Sequence, residues 1–187
     1  MAARPYRASP RWYGPATLAA LLLLVGIRWW WTSSGSTPSV ELPLLSKGEY
    51  VVARAVDGDT LELVSGERIR LLGVNTPETV APNKPVEPWG LEATDFTQSF
   101  VAEGTVRLTF DQERHDRFGR HLAYVWRGET LLNEELIRAG LSEAVTVFPY
   151  SRAMKDRFLS AQRQAKREHR GIWSNSQPPM PAATASR

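Results

Sequence analysis

The sequence predicts an α+β domain built on a small closed β-barrel of five strands with about three helices, preceded by one apolar N-terminal helix. Three observations lead there. Five short β-branched or alternating runs are punctuated by Asp-Gly and Ser-Gly turns. Helical patterns are inserted between the third and fourth runs and appended after the fifth, and residues 14–31 are almost wholly apolar.

The chain opens with a basic segment, residues 1–13, carrying Arg4, Arg7 and Arg11 and no acid. Residues 14–31 read GPATLAALLLLVGIRWWW; at about 1.5 Å per residue they span about 27 Å, close to a bilayer's hydrocarbon core of about 30 Å. Arg28 can snorkel to headgroups, and Trp29, Trp30 and Trp31 form an interfacial belt. The expectation is a single-pass anchor with the N-terminus cytoplasmic and the folded domain outside, by the positive-inside rule. Secretion after cleavage of a signal peptide, and a mitochondrial inner-membrane anchor, are the alternatives. Residues 32–46, rich in Ser, Thr, Pro and Gly, are expected to be a flexible linker.

The domain is expected over residues 47–174. Tyr50 to Val56, Leu61 to Val64 and Arg68 to Val74 form a three-stranded meander broken at Asp57-Gly58-Asp59 and Ser65-Gly66-Glu67. Val80 to Pro88 is too rich in proline for regular structure. Leu91 to Val101 spaces its apolar residues as a helix and stops at Gly104. Val106 to Phe110 and Leu122 to Trp126 return to strand pattern, with Asp116 to Arg120 between them. Leu131 to Ala139 and Arg152 to Arg170 read as helices stopped by Gly140 and Gly171. The tail, residues 175–187, is rich in Pro, Ala and Ser and is expected to be disordered.

Composition narrows the function classes. Cysteine is absent, which excludes a disulfide framework, a thiolate metal site and a cysteine nucleophile. Of 23 basic side chains four lie in the first forty residues, which hold no acid, so the remainder carries 19 against 20 acidic ones. The domain is near neutral despite the pI of about 9.4. Any polyanion must therefore be captured by local clusters rather than by bulk charge.

Those clusters exist. Val56-Asp57-Gly58-Asp59-Thr60, then Arg70-Leu71-Leu72-Gly73-Val74-Asn75-Thr76-Pro77-Glu78-Thr79, then Asp116-Arg117-Phe118-Gly119-Arg120 place carboxylates, an amide and arginines where strands end. Carboxylate and carbonyl oxygens are the ligands of Ca²⁺ or Mg²⁺, and the arginine fork meets phosphate oxygens two at a time. Phosphodiester hydrolysis is the chemistry such a set can perform.

With the closing Ala-Lys-Arg-Glu-His-Arg-Gly-Ile-Trp of residues 165–173, these motifs stand in an order and spacing that resembles the staphylococcal nuclease (thermonuclease) family across residues 47–174. The resemblance implies a five-stranded OB-fold barrel and Ca²⁺-dependent hydrolysis of DNA and RNA between phosphorus and the 5′ oxygen. By position, Asp59 matches a calcium-ligand aspartate, and Thr76 matches the residue offering its backbone carbonyl. Arg70 and Arg120 match the phosphate-binding arginines, and Glu78 matches the carboxylate assigned as general base. Asn75 departs from the pattern, since the family's best-known members carry a second aspartate ligand there; weaker calcium binding is expected, with the site retained. Phe118 replaces a tyrosine and keeps its ring. Of two base-contacting tyrosines, Thr146 and Phe148 leave only Phe148 to stack. Lys84 is a candidate phosphate contact, and the chain is expected to act as a monomer.

Each residue has a plainer reading. Asp57 and Asp59 can be turn chemistry, Glu78 an exposed loop acid, and Arg114 and Arg117 surface charge. His115, His121 and His169 lack metal-ligand spacing and read as structural or surface residues. The basic last helix reads first as a solvated face. Against a nuclease stands a nuclease-like binding module without turnover. Retention of Asp59, Arg70, Glu78 and Arg120 favours the enzyme.

Overall fold

The computed structural model describes residues 44–79 and 85–175. The apolar segment 14–31, most of the linker, Lys84 and nearly all of the tail lie outside the described residues, so the expectations placed on them stand apart from the structure. No helix among the described residues is long and apolar enough to cross a membrane.

Strands β1 (Gly48–Ala55), β2 (Thr60–Leu63) and β3 (Arg68–Leu71) form the antiparallel meander. A short β4 (Val74–Asn75) follows, then helix α1 (Gly90–Val101), β5 (Thr105–Thr109), β6 (His121–Arg127) and a two-residue β7 (Thr130–Leu131). Helix α2 (Leu132–Arg138), β8 (Glu143–Ala144), helix α3 (Arg152–Arg167) and a 3₁₀ turn at Gly171–Trp173 complete the domain. β1 pairs with β2 and β5, β5 with β6, and β6 pairs in parallel with β3, which closes the five-stranded barrel expected of an OB-fold.

The third strand differs from its expected extent. It ends at Leu71 because Gly73 turns the chain at φ 76°, and a Cβ there would sit 2.7 Å from the Phe158 ring. Val74 and Asn75 then leave the barrel and pair with Ala144 and Glu143 of β8. The last helix also stops early, at Arg167, before a residue of positive φ, His169.

Alternation along the strands buries Leu61, Leu63, Ile69, Leu71, Val106 and Leu108 inside the barrel. Ala93, Thr97, Phe100 and Val101 form the buried stripe of α1, and Phe158, Ala161 and Ala165 that of α3. Asn133, fully buried at the start of α2, joins the layers. Its Oδ1 accepts the Val125 N–H at 3.0 Å, and its Nδ2 donates to the carbonyls of Leu72 at 2.9 Å and Ala123 at 3.2 Å. The backbone immediately before the β4 turn is thus held to β6.

The β1–β2 turn is seated against α1. Thr97 Oγ1 donates to the Gly58 carbonyl at 2.7 Å, and a Cβ on Gly58 would lie 2.7 Å from Ala93 Cβ and 2.8 Å from Thr76 Oγ1. Gly58→Ala is therefore expected to cost about 1–3 kcal/mol through overpacking, read as a lower midpoint in thermal or urea unfolding. An unchanged midpoint would show that the turn can shift freely from α1.

Candidate active site

The β1–β2 turn, the end of β3, the segment after β4 and the loop before β6 meet at one end of the barrel. Together they line a polar cleft of about 190 Å³ whose wall is made by Asp57, Asp59, Arg70 and Arg120 with Asn75, Thr76, Pro77 and Glu78. Closure of the barrel creates this meeting, because Thr60 is in register with Arg70 and Arg70 with Leu122.

Asp59 is the buried centre. One carboxylate oxygen, Oδ2, accepts the Thr76 N–H at 3.1 Å and pairs with Arg70 Nη2 at 3.0 Å, while Oδ1 accepts from Thr60 Oγ1 at 3.2 Å. Its own N–H donates to Asp57 Oδ1 at 3.0 Å, so Asp57 caps the turn that presents it. Burial pushes the Asp59 carboxyl up to about 6, with Asp57 adding to the rise and Arg70, Thr76 and Thr60 opposing it.

Arg70 is anchored by a 2.8 Å bond from Nη1 to the Leu71 carbonyl, and its side chain is 16% exposed. Arg120 enters from the loop before β6: Nη1 donates to Thr60 Oγ1 at 3.3 Å and Nε to Asp116 Oδ2 at 2.7 Å. Asp116 Oδ1 also accepts the N–H groups of Phe118 and Arg120 at 2.9 and 3.0 Å. Burial works to raise the Asp116 carboxyl, but these hydrogen bonds from Arg120 and Phe118 together hold it below its ordinary value. A charged carboxylate thereby fixes both the loop and its arginine.

Glu78 is exposed at the rim. Its N–H donates to Glu87 Oε2 at 3.0 Å, its carbonyl accepts the Glu87 N–H at 2.9 Å, and its Oε1 accepts the Thr79 N–H at 3.0 Å. Asn75 is also exposed, with its N–H donating to Ser142 Oγ at 2.9 Å. Among the described residues no cluster of three His, Cys, Asp or Glu side chains gathers as a metal site. The oxygen donors in the cleft are two aspartates, one glutamate, an amide and backbone carbonyls.

The model of the staphylococcal nuclease homologue family matches residues 68–175. The chain belongs to this family. It is 39% identical to a thermonuclease of Staphylococcus hyicus over 165 residues, covering 87% of this chain and 96% of that protein. A thermonuclease of Staphylococcus intermedius is 41% identical over 131 residues, covering 68% of this chain and 77% of the relative. Endonuclease YncB of Bacillus subtilis (strain 168) is 36% identical over 127 residues, 66% of this chain and 60% of its own length.

In this staphylococcal nuclease homologue the cleft opens onto a wider groove of about 450 Å³. Its walls combine Leu71, Leu72, Val74 and Leu122 with the rings of Phe118 and Phe148 and the guanidinium groups of Arg117 and Arg120. Phe118 and Phe148 are 69% and 51% exposed, and Arg117 and Arg120 lie over the Phe118 ring at 4.7 and 5.7 Å. Arg117, expected as surface charge, lies over the Phe118 ring at 4.7 Å and lines the groove. Arg114, also expected at the surface, is partly buried and stacks on Phe110 at 4.0 Å. His121 is buried and packs against His115 with ring centroids 4.4 Å apart and the rings tilted by 48°, in keeping with a structural role.

Two residues of the site escaped the sequence reading. Asp116 was legible only as part of a motif, yet it orders Arg120 and Phe118. Glu87, from the proline-rich loop, clamps the backbone of Glu78. Neither touches the cleft's centre, and no spacing rule marks an acid whose partner is a backbone N–H across a loop.

Proposed function

We propose that the chain is a calcium-dependent nuclease that hydrolyses phosphodiester bonds of DNA and RNA between phosphorus and the 5′ oxygen. The observation carrying this reading is the convergence of Asp59, Arg70, Glu78 and Arg120 on one small polar cleft. The donor set suits a hard cation. All its ligating atoms are oxygens, and the buried Asp59, whose proton affinity is raised by desolvation, is stabilised by a positive partner. Asp59, the Asn75 amide oxygen and the Thr76 carbonyl would hold Ca²⁺, which when bound supplies electrostatic stabilisation of negative charge on the phosphoryl oxygens.

The chain's own groups divide the remaining work. Arg70 and Arg120 both line the cleft, so a phosphate held there meets two guanidinium groups whose hydrogen bonds strengthen as charge grows on its oxygens. Glu78, at the exposed rim, is placed to take a proton from an incoming water. The groove beside Phe118 and Phe148 receives a base, each stack contributing on the order of 1–3 kcal/mol. We further place the domain on the outer side of a membrane, tethered through residues 14–31; protease accessibility in intact cells tests that placement.

Asn75 favours a second reading, a binding module with little turnover, because it removes a unit of negative charge from the calcium ligands. Incubating the full chain with single-stranded DNA or RNA, with Ca²⁺ or with chelator, separates the two: short fragments released only with calcium support the enzyme. No cleavage at millimolar calcium overturns it. Asn75→Asp is expected to tighten Ca²⁺ binding in calorimetry and to lower the calcium concentration giving half-maximal cleavage. Equal affinity in parent and variant would refute the role given to Asn75.

A further inference from the structure

The helix α3 carries six basic side chains and one acidic one, whereas the rest of the sequence after residue 40 carries 13 basic against 19 acidic ones. Most of these are accounted for. Arg157 pairs with the buried Glu134, Lys155 lies over Tyr150 at 4.9 Å, and Arg152 approaches Asp156 at 4.0 Å. Lys166 caps the Trp173 ring at 4.1 Å, and the negative end of the helix dipole favours a cation in the last turn. Arg163 and Arg167 remain. Both are exposed, neither meets a carboxylate among the described residues, and at i,i+4 spacing they repel each other. The helix packs through Phe158, Ala161 and Ala165, so its seating requires neither arginine.

We propose that Arg163 and Arg167 form a polyanion track that binds the single strand of nucleic acid running out of the cleft, whereas Arg170 is already paired with Glu168 at 2.5 Å. The helix that carries Arg163 and Arg167 is tied to the cleft wall through one residue. Gln162 Oε1 accepts the Ala144 N–H at 2.9 Å, and Ala144 lies in the β8 strand that pairs with Val74 and Asn75 at the cleft wall. Arg163 stands next to Gln162, and at about 1.5 Å per residue Arg163 to Arg167 extends over about 6 Å of the helix. Glu143, exposed opposite Asn75, is the one acid of that strand pair. Contacts of this kind are made to phosphates and carry no sequence information, so they strengthen binding of long strands alike. The proposal rests on the nuclease reading and adds to it where the substrate goes beyond the scissile bond.

The test uses the full chain with Arg163→Glu and Arg167→Glu combined, poly(dT) as long substrate and a dinucleotide as short one. The track predicts that KM for poly(dT) rises about tenfold and that the slope of log binding against log salt falls by about 1.4, two charges at about 0.7 each on a single strand. The dinucleotide's kcat and KM stay unchanged, and the paired Arg→Lys variant behaves as the parent. Unaltered poly(dT) affinity and salt slope overturn the proposal. So does loss of binding to vesicles containing an anionic phospholipid with poly(dT) unaffected, which assigns the face to a membrane. Were the parent to cleave neither substrate, the nuclease reading would fall, while poly(dT) anisotropy would still decide the track.

Discussion

Glu78→Gln is expected to lower kcat by about two to four orders of magnitude, the usual contribution of a positioned general base, while leaving KM and the unfolding midpoint close to those of the parent. The substitution is nearly isosteric and retains an Oε1 able to accept the Thr79 N–H. The backbone bonds to Glu87 do not involve the substituted group's charge, so the segment stays in place. What disappears is a carboxylate able to take a proton. Preserved kcat would remove Glu78 from the chemistry and pass the role of base to another oxygen in the cleft. Lowered stability with proportionately lowered activity would reduce it to a structural rim residue.

The second large effect concerns Asp59 and pH. Because burial raises its pKa to about 6, the group is protonated across a range where an exposed aspartate is charged. Calcium competes with that proton. Apparent Ca²⁺ affinity is therefore expected to be flat above pH 6 and to fall by about tenfold for each pH unit below it, as proton-linked binding requires. Stability without the metal runs the other way. A carboxyl whose folded pKa lies above its ordinary 3.8 makes the charged form the costly one, so the cost is full above pH 6 and is relieved as pH falls toward 3.8. A rise from 3.8 to about 6 corresponds to about 3 kcal/mol at most. Calorimetric titrations with Ca²⁺ and metal-free unfolding, each at pH 5 and pH 7, measure both limbs. Asp59→Asn should abolish the calcium heat and flatten the stability profile. Affinity that is unchanged between the two pH values would deny Asp59 its place as a ligand.

The meander of β1 to β3 was legible because its strands are long enough to show alternation and its turns carry Asp-Gly and Ser-Gly. The helices were legible for the same reason at a longer period, although the last one ends at Arg167, four residues before the Gly171 that reads as its stop. β4, β7 and β8 were not. A two-residue strand has no periodicity, and β4 exists only because Gly73 turns the chain over Phe158 and delivers Val74 and Asn75 to β8. In the site, Asp59, Arg70, Glu78 and Arg120 could be read from motifs. Asp116 and Glu87 could not, since what they hold is another residue's backbone.

Sequence by itself determined the ingredients: a near-neutral domain, five runs with strand character, oxygen ligands without thiolates, and arginines placed at strand ends. Tertiary structure alone decided which of those charges meet and how each behaves. The parallel pairing of β3 with β6 brings Arg70 and Arg120 to one cleft although fifty residues of chain separate them. The seating of the β1–β2 turn against α1 and Thr76 removes Asp59 from water, and desolvation raises its carboxyl from the ordinary 3.8 to about 6. Residue type is local, whereas burial and electrostatic partners depend on distance in space, which the linear chain does not specify until the barrel closes.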